Sequence, residues 1–252
     1  MHRFLVQTDD IHHDTVVLAG DAARHLKVVR PRPGEAVELF DGKGTVRTYR
    51  VDASVLTAIG EPRSCPPSPL RLTLFACVTK GSRWDWTIEK AVELGVSRIV
   101  PVVSDRCIVR LDPAERDAKA ERWRRIAADA ARQSDAAWLP EVCRAVDFHV
   151  AAEEVRACGT VFAGVLADPP PPPLQTALAE AVAGGCEAGL GFFVGPEGDF
   201  SPEELQVLRG IAIPVSLGPT ILRAETAAVF GLSVIAAAAH AMLARASVSS
   251  GL

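Results

Sequence analysis

Residues 195–204 read GPEGDFSPEE and follow directly on an apolar run, GLGFFV, at 189–194. Ser201 at an N-cap, Pro202 at the first helical position and Glu204 three residues after the cap together spell a helix start. The preceding run is short, apolar and β-rich, so the glycines fall in a strand-to-helix turn. Such a turn presents backbone N–H groups at a helix N-terminus, and Gly195 and Gly198 keep Cβ atoms away from a ligand lying there. The spacing fits neither G-x-x-x-x-G-K-[ST] nor G-x-G-x-x-G, and Glu197 and Asp199 repel phosphate. A ligand carrying adenosine and a positive charge suits the turn better than a nucleotide triphosphate. Ordinary turn chemistry explains the same residues, so the rest of the chain has to decide.

The chain has 252 residues, of which 48% are hydrophobic, enough to bury a substantial core in one large or two modest domains. Its net charge of −4 argues against indiscriminate binding to nucleic acid and leaves room for local basic patches. Cysteines 65, 77, 107, 143, 158 and 186 form no C-x-x-C pair and have no histidine at metal-ligand spacing, so reduced, mostly buried thiols and no metal are expected. The start, MHRFLVQTDD, lacks the apolar core of a secretory signal, and the cytoplasm is the expected compartment. Ala227 to Leu243 is nearly free of polar side chains but about a turn short of the ~20 residues of a membrane span. It reads as a core or subunit-contact helix, with no membrane partner.

EPRSCPPSPL, 61–70, holds four prolines in ten residues, which excludes regular ladders and marks a boundary between a domain over 1–66 and another over 70–252. Upstream, AVELFD and TVRTYRV flank Asp41-Gly42-Lys43-Gly44, a hairpin signal, and TVVLAG and SVLTAI are further strands. A small β-barrel results, with DAARHLKVVR as an amphipathic helix turning Leu26 and Val29 inward. Downstream, RLTLFACV, WDWTIEKAVELGV ending at Gly95, and RIVPVVS form a βαβ unit. A basic helix from Pro113 to Arg132 follows, then three buried strands, VFAGVLA, LGFFVG and IPVSLG. The larger domain is therefore α/β with a parallel sheet, and PPPPP at 169–173 is a rigid loop within it.

Three strand ends converge as chemistry-bearing loops: LADP at 166–169, GPEG at 195–198 and LGPTILRAETA at 217–227. In open α/β sheets, ligands bind outside the carboxyl ends of strands. GPEGDFSPEEL and LGPTILRAETA, with KGSRWDWTIEKAVELGVSRIVP before them and RFLV and HLKVVR near the start, resemble the small-subunit (16S) ribosomal RNA uridine N3-methyltransferases of the SPOUT class. The resemblance runs over nearly the whole chain.

That resemblance implies a PUA-like β-barrel followed by an α/β SPOUT domain whose chain is threaded into a deep trefoil knot over about 160–245. It implies a homodimer that completes the active site, and 16S rRNA of the small ribosomal subunit as substrate. It also places S-adenosyl-L-methionine against Leu166, Ala167, Val194, Gly195, Pro196, Glu197, Gly198, Leu217, Gly218, Ile221, Leu222, Thr226 and Ala227. Methyl transfer to uridine N3 requires loss of the N3 proton. Arg223 can stabilise the developing imidate, and Glu225 can orient that arginine or act as base. A structural Arg223–Glu225 pair is the other reading. Arg3, Arg24, Arg30 and Lys80 are the candidates for RNA contacts, and a solvated surface charge is the other reading of each. Trp84 and Trp86 can stack a base, but two positions apart on a helix they cannot share a face.

The chain departs from the family pattern at Thr220, where the loop usually carries Arg, at Asp135-Ala136 in place of Gly-Arg, and at Asp168 in ADP in place of His-Pro. These substitutions keep a non-catalytic RNA-binding or assembly factor, or an enzyme with another RNA target, in view. A nucleotide hydrolase at the GPEG turn lacks both a phosphate-binding lysine and a metal-binding carboxylate pair.

Overall fold

The computed structural model describes residues 1–183 and 189–249, with side chains as far as Met242 apart from those at 182 and 183; Cys186 lies outside the described residues. The chain divides into one unit of Met1–Ser68 with Ala128–Leu139 and a second of Pro69–Ala127 with Pro140–Leu252.

In the first unit, β1 (His2–Leu5), α1 (Thr8–Ile11), β2 (Thr15–Val16), α2 (Gly20–Val29), β3 (Ala36–Phe40), β4 (Thr45–Asp52) and β5 (Val55–Ser64) follow one another. The strands form a five-stranded sheet in the order β1-β3-β4-β5-β2. β3 and β4 pair antiparallel across Asp41-Gly42-Lys43-Gly44, whose two glycines take φ of +69° and +96°. Asp41 Oδ1 accepts the N–H groups of Lys43 and Thr45 at 2.8 and 2.9 Å, which closes the turn. The core gathers Phe4, Val37, Leu39, Tyr49, Val51 and Leu56, with Leu26 of α2 packed against it.

Two expectations change here. Pro62 does not break the ladder: β5 runs through it, because the register with β4 slips between Val46 and Thr48 and the irregularity leaves the proline without a rung to complete. Arg3 is no phosphate contact. It is 4% exposed, its Nε donates to Glu38 Oε1 at 2.7 Å, and its Nη1 donates to the carbonyls of Ala131 and Ala136. The guanidinium also lies 4.4 Å over the Phe40 ring. A fully engaged cation of this kind holds the fold together.

The second unit contains β6 (Leu72–Cys77), α3 (Ser82–Glu93), β7 (Arg98–Val103), α4 (Pro113–Gln133), β8 (Glu141–Val142), β9 (Val146–Asp147), α5 (Phe148–Ala157), β10 (Thr160–Gly164), α6 (Leu174–Ala183), β11 (Leu190–Val194), α7 (Pro202–Ile211), β12 (Ile213–Val215) and α8 (Ala224–Ser249). The last residues of α4, from Ala128, belong to the first unit. The sheet order is β12-β10-β11-β6-β7-β8 with β9 also on β7, and every pairing is parallel. β6 and β11 are buried at every residue, the mark of a parallel sheet covered on both faces. Phe75 and Phe193 face Phe148 of α5 and the α7 side, with Phe193 and Phe200 edge to face at 5.2 Å.

Phe192 faces the other way, toward α8, which crosses so close that a Cβ at Gly231 would stand 2.2 Å from the ring. Ala224–Met242 is long and apolar enough to cross a membrane, yet its Ala228, Leu232 and Ile235 are wholly buried in this fold. Trp84 is core, edge-on to Trp123 at 5.5 Å, while Trp86 remains 41% exposed.

Candidate active site

β10, β11 and β12 run in step: Gly164 stands opposite Val194 on one side and Val215 on the other. Their carboxyl ends therefore finish at one level, and the three loops that leave them enclose a cleft. A Cβ at Gly164 would meet Leu217 Cδ1 at 3.2 Å and Phe192 Cζ at 3.4 Å, so glycine is what lets the third loop close over the first strand.

The turn after β11 is fixed from three directions. Ser201 Oγ accepts from Glu204 N at 3.3 Å while Glu204 Oε2 accepts from Ser201 N at 2.9 Å, the reciprocal cap expected from the sequence. Glu204, buried, also takes the N–H of Asp105 at 2.9 Å, and Arg106 Nη1 donates to Gly198 O at 3.0 Å. Asp199, left-handed at φ +56°, accepts the N–H of Leu166 on Oδ2 at 3.2 Å and so joins the first loop to the second.

Of the residues expected around a cofactor, Leu166, Val194, Gly195, Pro196, Glu197, Leu217, Gly218, Ile221, Leu222 and Ala227 line this cleft. Ala167, Gly198 and Thr226 do not. Ala167 faces a second hollow with Pro169, Pro171 and Leu205, because adjacent residues of an extended loop point to opposite sides. Gly198 has its carbonyl bound by Arg106, and Thr226 is exposed, one step off the helix face that carries Ala224 and Ala227. The lining also contains Gly164, Val165, Asp199, Ser216, Thr220 and Ala224, to which the sequence reading gave no cofactor role. Ser216 Oγ accepts Gly218 N at 3.3 Å, a local turn that the adjacent serine and glycine spell.

Arg223 is exposed, and among the described residues its side chain makes no hydrogen bond or ion pair. The Arg223–Glu225 pair weighed from sequence is not formed, as expected for residues two apart at a helix start. Glu225, 13% exposed, has its Oε1 3.8 Å from Nε of Arg83, a residue of the KGSRWDW stretch to which no spacing rule gives a role. Arg83 Nη1 lies 3.4 Å from Glu197 Oε1. The second oxygen of Glu225 is buried without a partner. Among the RNA candidates, Lys80 is exposed, Arg24 is exposed and paired with Asp21, and exposed Arg30 donates from Nε to Lys27 O at 3.2 Å.

A parallel α/β sheet whose strand ends build a glycine-edged, backbone-rich cleft defines a small-molecule-binding α/β protein. Residues 66–236 match the RNA methyltransferase domain family and residues 18–54 the RNA methyltransferase PUA domain, and the chain belongs to the RNA methyltransferase family. It is 32% identical over 228 residues to ribosomal RNA small subunit methyltransferase E of Mycobacterium bovis, covering 87% of this chain and 85% of that one. The Synechocystis protein of the same name is 30% identical over 243 residues, with 93% and 77% covered. Among solved structures, ribosomal RNA small subunit methyltransferase E from Neisseria gonorrhoeae bound to S-adenosyl methionine superposes with a TM-score of 0.78 at 31% identity, covering 93% and 96% of the two chains. A Legionella pneumophila methyltransferase in complex with the same cofactor gives 0.75 at 28% identity, with 94% and 97% covered.

Proposed function

We propose that this protein transfers a methyl group from S-adenosyl-L-methionine to N3 of a uridine in 16S rRNA of the small ribosomal subunit. The observation that carries the reading is the alignment of Gly164, Val194 and Val215, which brings three loops to one level around a cleft. Its lining fits the donor: main-chain groups at 194–197 and 216–218 can read an adenine edge, and Leu217, Ile221 and Leu222 can flank its faces. Glu197 and Asp199 suit a cation and disfavour a triphosphate. When bound, S-adenosyl-L-methionine supplies an electrophilic methyl on a sulfonium. The chain's part is to align the base and to stabilise the N3 anion, a role we assign to Arg223, which lies between the cleft residues Leu222 and Ala224 and whose exposed side chain has no partner among the described residues. Glu225, held by Arg83, is the remaining candidate to receive the proton.

We read residues 160–245 as threaded into a trefoil knot. In support, β12 joins the sheet outside β10, and the chain then returns past it so that α8 packs on β11 and β6. A cytoplasmic homodimer completes the reading: Ile221 and Leu166, 79% and 54% exposed at the cleft rim, are the apolar surface a second copy would cover. The PUA-like unit with Arg24 and Arg30, and Lys80 of the second unit, supply phosphate contacts.

Mass spectrometry of 16S rRNA from a deletion strain tests the proposal. Loss of one N3-methyluridine, restored by the purified protein with S-adenosyl-L-methionine on small subunits, is the expected result. An unchanged modification profile rejects it and leaves the non-catalytic RNA-binding reading.

A further inference from the structure

One guanidinium serves two carboxylates that come from different walls of the cleft. Arg83 sits in the first turn of α3, and its Nη1 reaches Oε1 of Glu197 in the turn after β11 at 3.4 Å. Its Nε stands 3.8 Å from Oε1 of Glu225 in the first turn of α8. Glu197 itself lines the cleft, and Glu225 lies between two residues that do, Ala224 and Ala227. Asp85, the acid nearest in sequence on α3, does not compete for Arg83, because both its oxygens are taken by Arg122.

The charges explain why a fork is needed. Without Arg83, Glu197 and Glu225 would be like charges with no cation between them, and Glu225, largely buried and already lacking a partner on Oε2, would be an unpaired buried anion. Arginine holds two nitrogens in one rigid plane, so the spacing between its two carboxylates is fixed; a lysine ammonium is a single point on a flexible stem. Two carboxylates against one guanidinium also leave one net negative charge beside the cleft, which favours a cationic ligand over a neutral one.

We propose that Arg83 is a positioning residue of the methyl-donor site: by joining Glu197 to Glu225 it sets the distance between the β11 turn and the head of α8, and through it the affinity for a sulfonium ligand. The proposal rests on the reading of the cleft as the methyl-donor site. Arg83 acts through the two glutamates.

The test uses the full chain, with R83K and the paired variant R83Q/E225Q, in which neutral amides replace both charges so that no buried carboxylate is stranded. Calorimetric titration with S-adenosyl-L-methionine and with its demethylated, uncharged product is read beside thermal melting and the KM for rRNA. The expected result for the paired variant, which keeps the same net charge and loses only the fork, is near-native melting, affinity for donor and for product each weakened about tenfold, and the KM for rRNA unchanged. R83K should recover only part of the donor affinity, because it retains charge but loses the fork. Donor affinity at the wild-type value in both variants, or equal losses for donor, product and rRNA, overturns the proposal. If the paired variant does not fold, R83K alone decides, and wild-type affinity there overturns it. A wild-type chain that binds no S-adenosyl-L-methionine removes the reading of the cleft and this inference with it; a wild-type chain that binds beside variants that bind equally removes this inference alone.

Discussion

The N–H of Leu166 donates to Oδ2 of Asp199 at 3.2 Å, so a charge-assisted hydrogen bond ties the loop leaving β10 to the turn leaving β11. Asp199 holds a left-handed backbone, which Asn tolerates and Ala does not. D199A should weaken S-adenosyl-L-methionine binding by about tenfold, the value of one such bond plus the strain, and D199N should retain most of it. Isothermal calorimetry on both variants checks this. Equal affinities in D199A and wild type would show that the tie has no part in binding.

Among the described residues, the exposed side chain of Arg223 has no partner. R223A should lower kcat by about 100-fold or more while donor affinity changes little, the signature of a group that acts on charge developing in the transition state. Single-turnover methylation of 16S rRNA at saturating donor measures it. A normal rate rejects the role.

Arg3 is predicted to matter for stability. R3A leaves Glu38 largely buried with only the more distant, exposed Arg63 at 3.7 Å, and it takes a donor from the carbonyls of Ala131 and Ala136, the first of which keeps the Ala136 N–H. The expected cost is about 3–5 kcal/mol to the first unit, read as a lowered denaturation midpoint. Affinity for rRNA of the protein that remains folded should be unaltered.

Cys107 is held as an acid unusually strong for a thiol. The Cys77 thiol donates to it, and Ser104 N–H at 3.3 Å and the Arg110 charge add to this, bringing its pKa to about 6 against 9.0, while burial pushes Cys77 up. Folded and unfolded values then order as follows: the thiolate contributes stability fully above pH 9, and that contribution is lost as pH falls from 9 through 6. Thiolate absorbance near 240 nm should titrate with a midpoint close to 6 and vanish in C107S. A midpoint near 9 would contradict the geometry.

G231V should place methyl groups where the Phe192 ring already stands, since even a Cβ there comes within 2.2 Å. Overpacking of this kind costs about 1–3 kcal/mol, visible as a lowered melting temperature and weaker donor binding, because α8 carries Ala224 and Ala227 to the cleft.

What was legible in the sequence was local or periodic. Ser201, Pro202 and Glu204 cap a helix through bonds made within three residues, and the cap is found as read. The buried runs of β6, β10 and β11 announce a covered parallel sheet, and strand ends in such a sheet announce a cleft. Charge pairing was not legible. Arg3 owes its burial to carbonyls at 131 and 136, and Arg83 finds its acids at 197 and 225, separations at which no spacing rule operates. Nor did the prolines of 61–70 disclose that one would sit at a slip of register.

The step shared by β10, β11 and β12 bears on when the protein first becomes competent. The strand that completes the row ends at Val215, and the last wall arrives with the head of α8. During synthesis, therefore, a nascent chain lacks the proposed donor cleft until Ala227 has left the ribosome, whose own RNA is the proposed target.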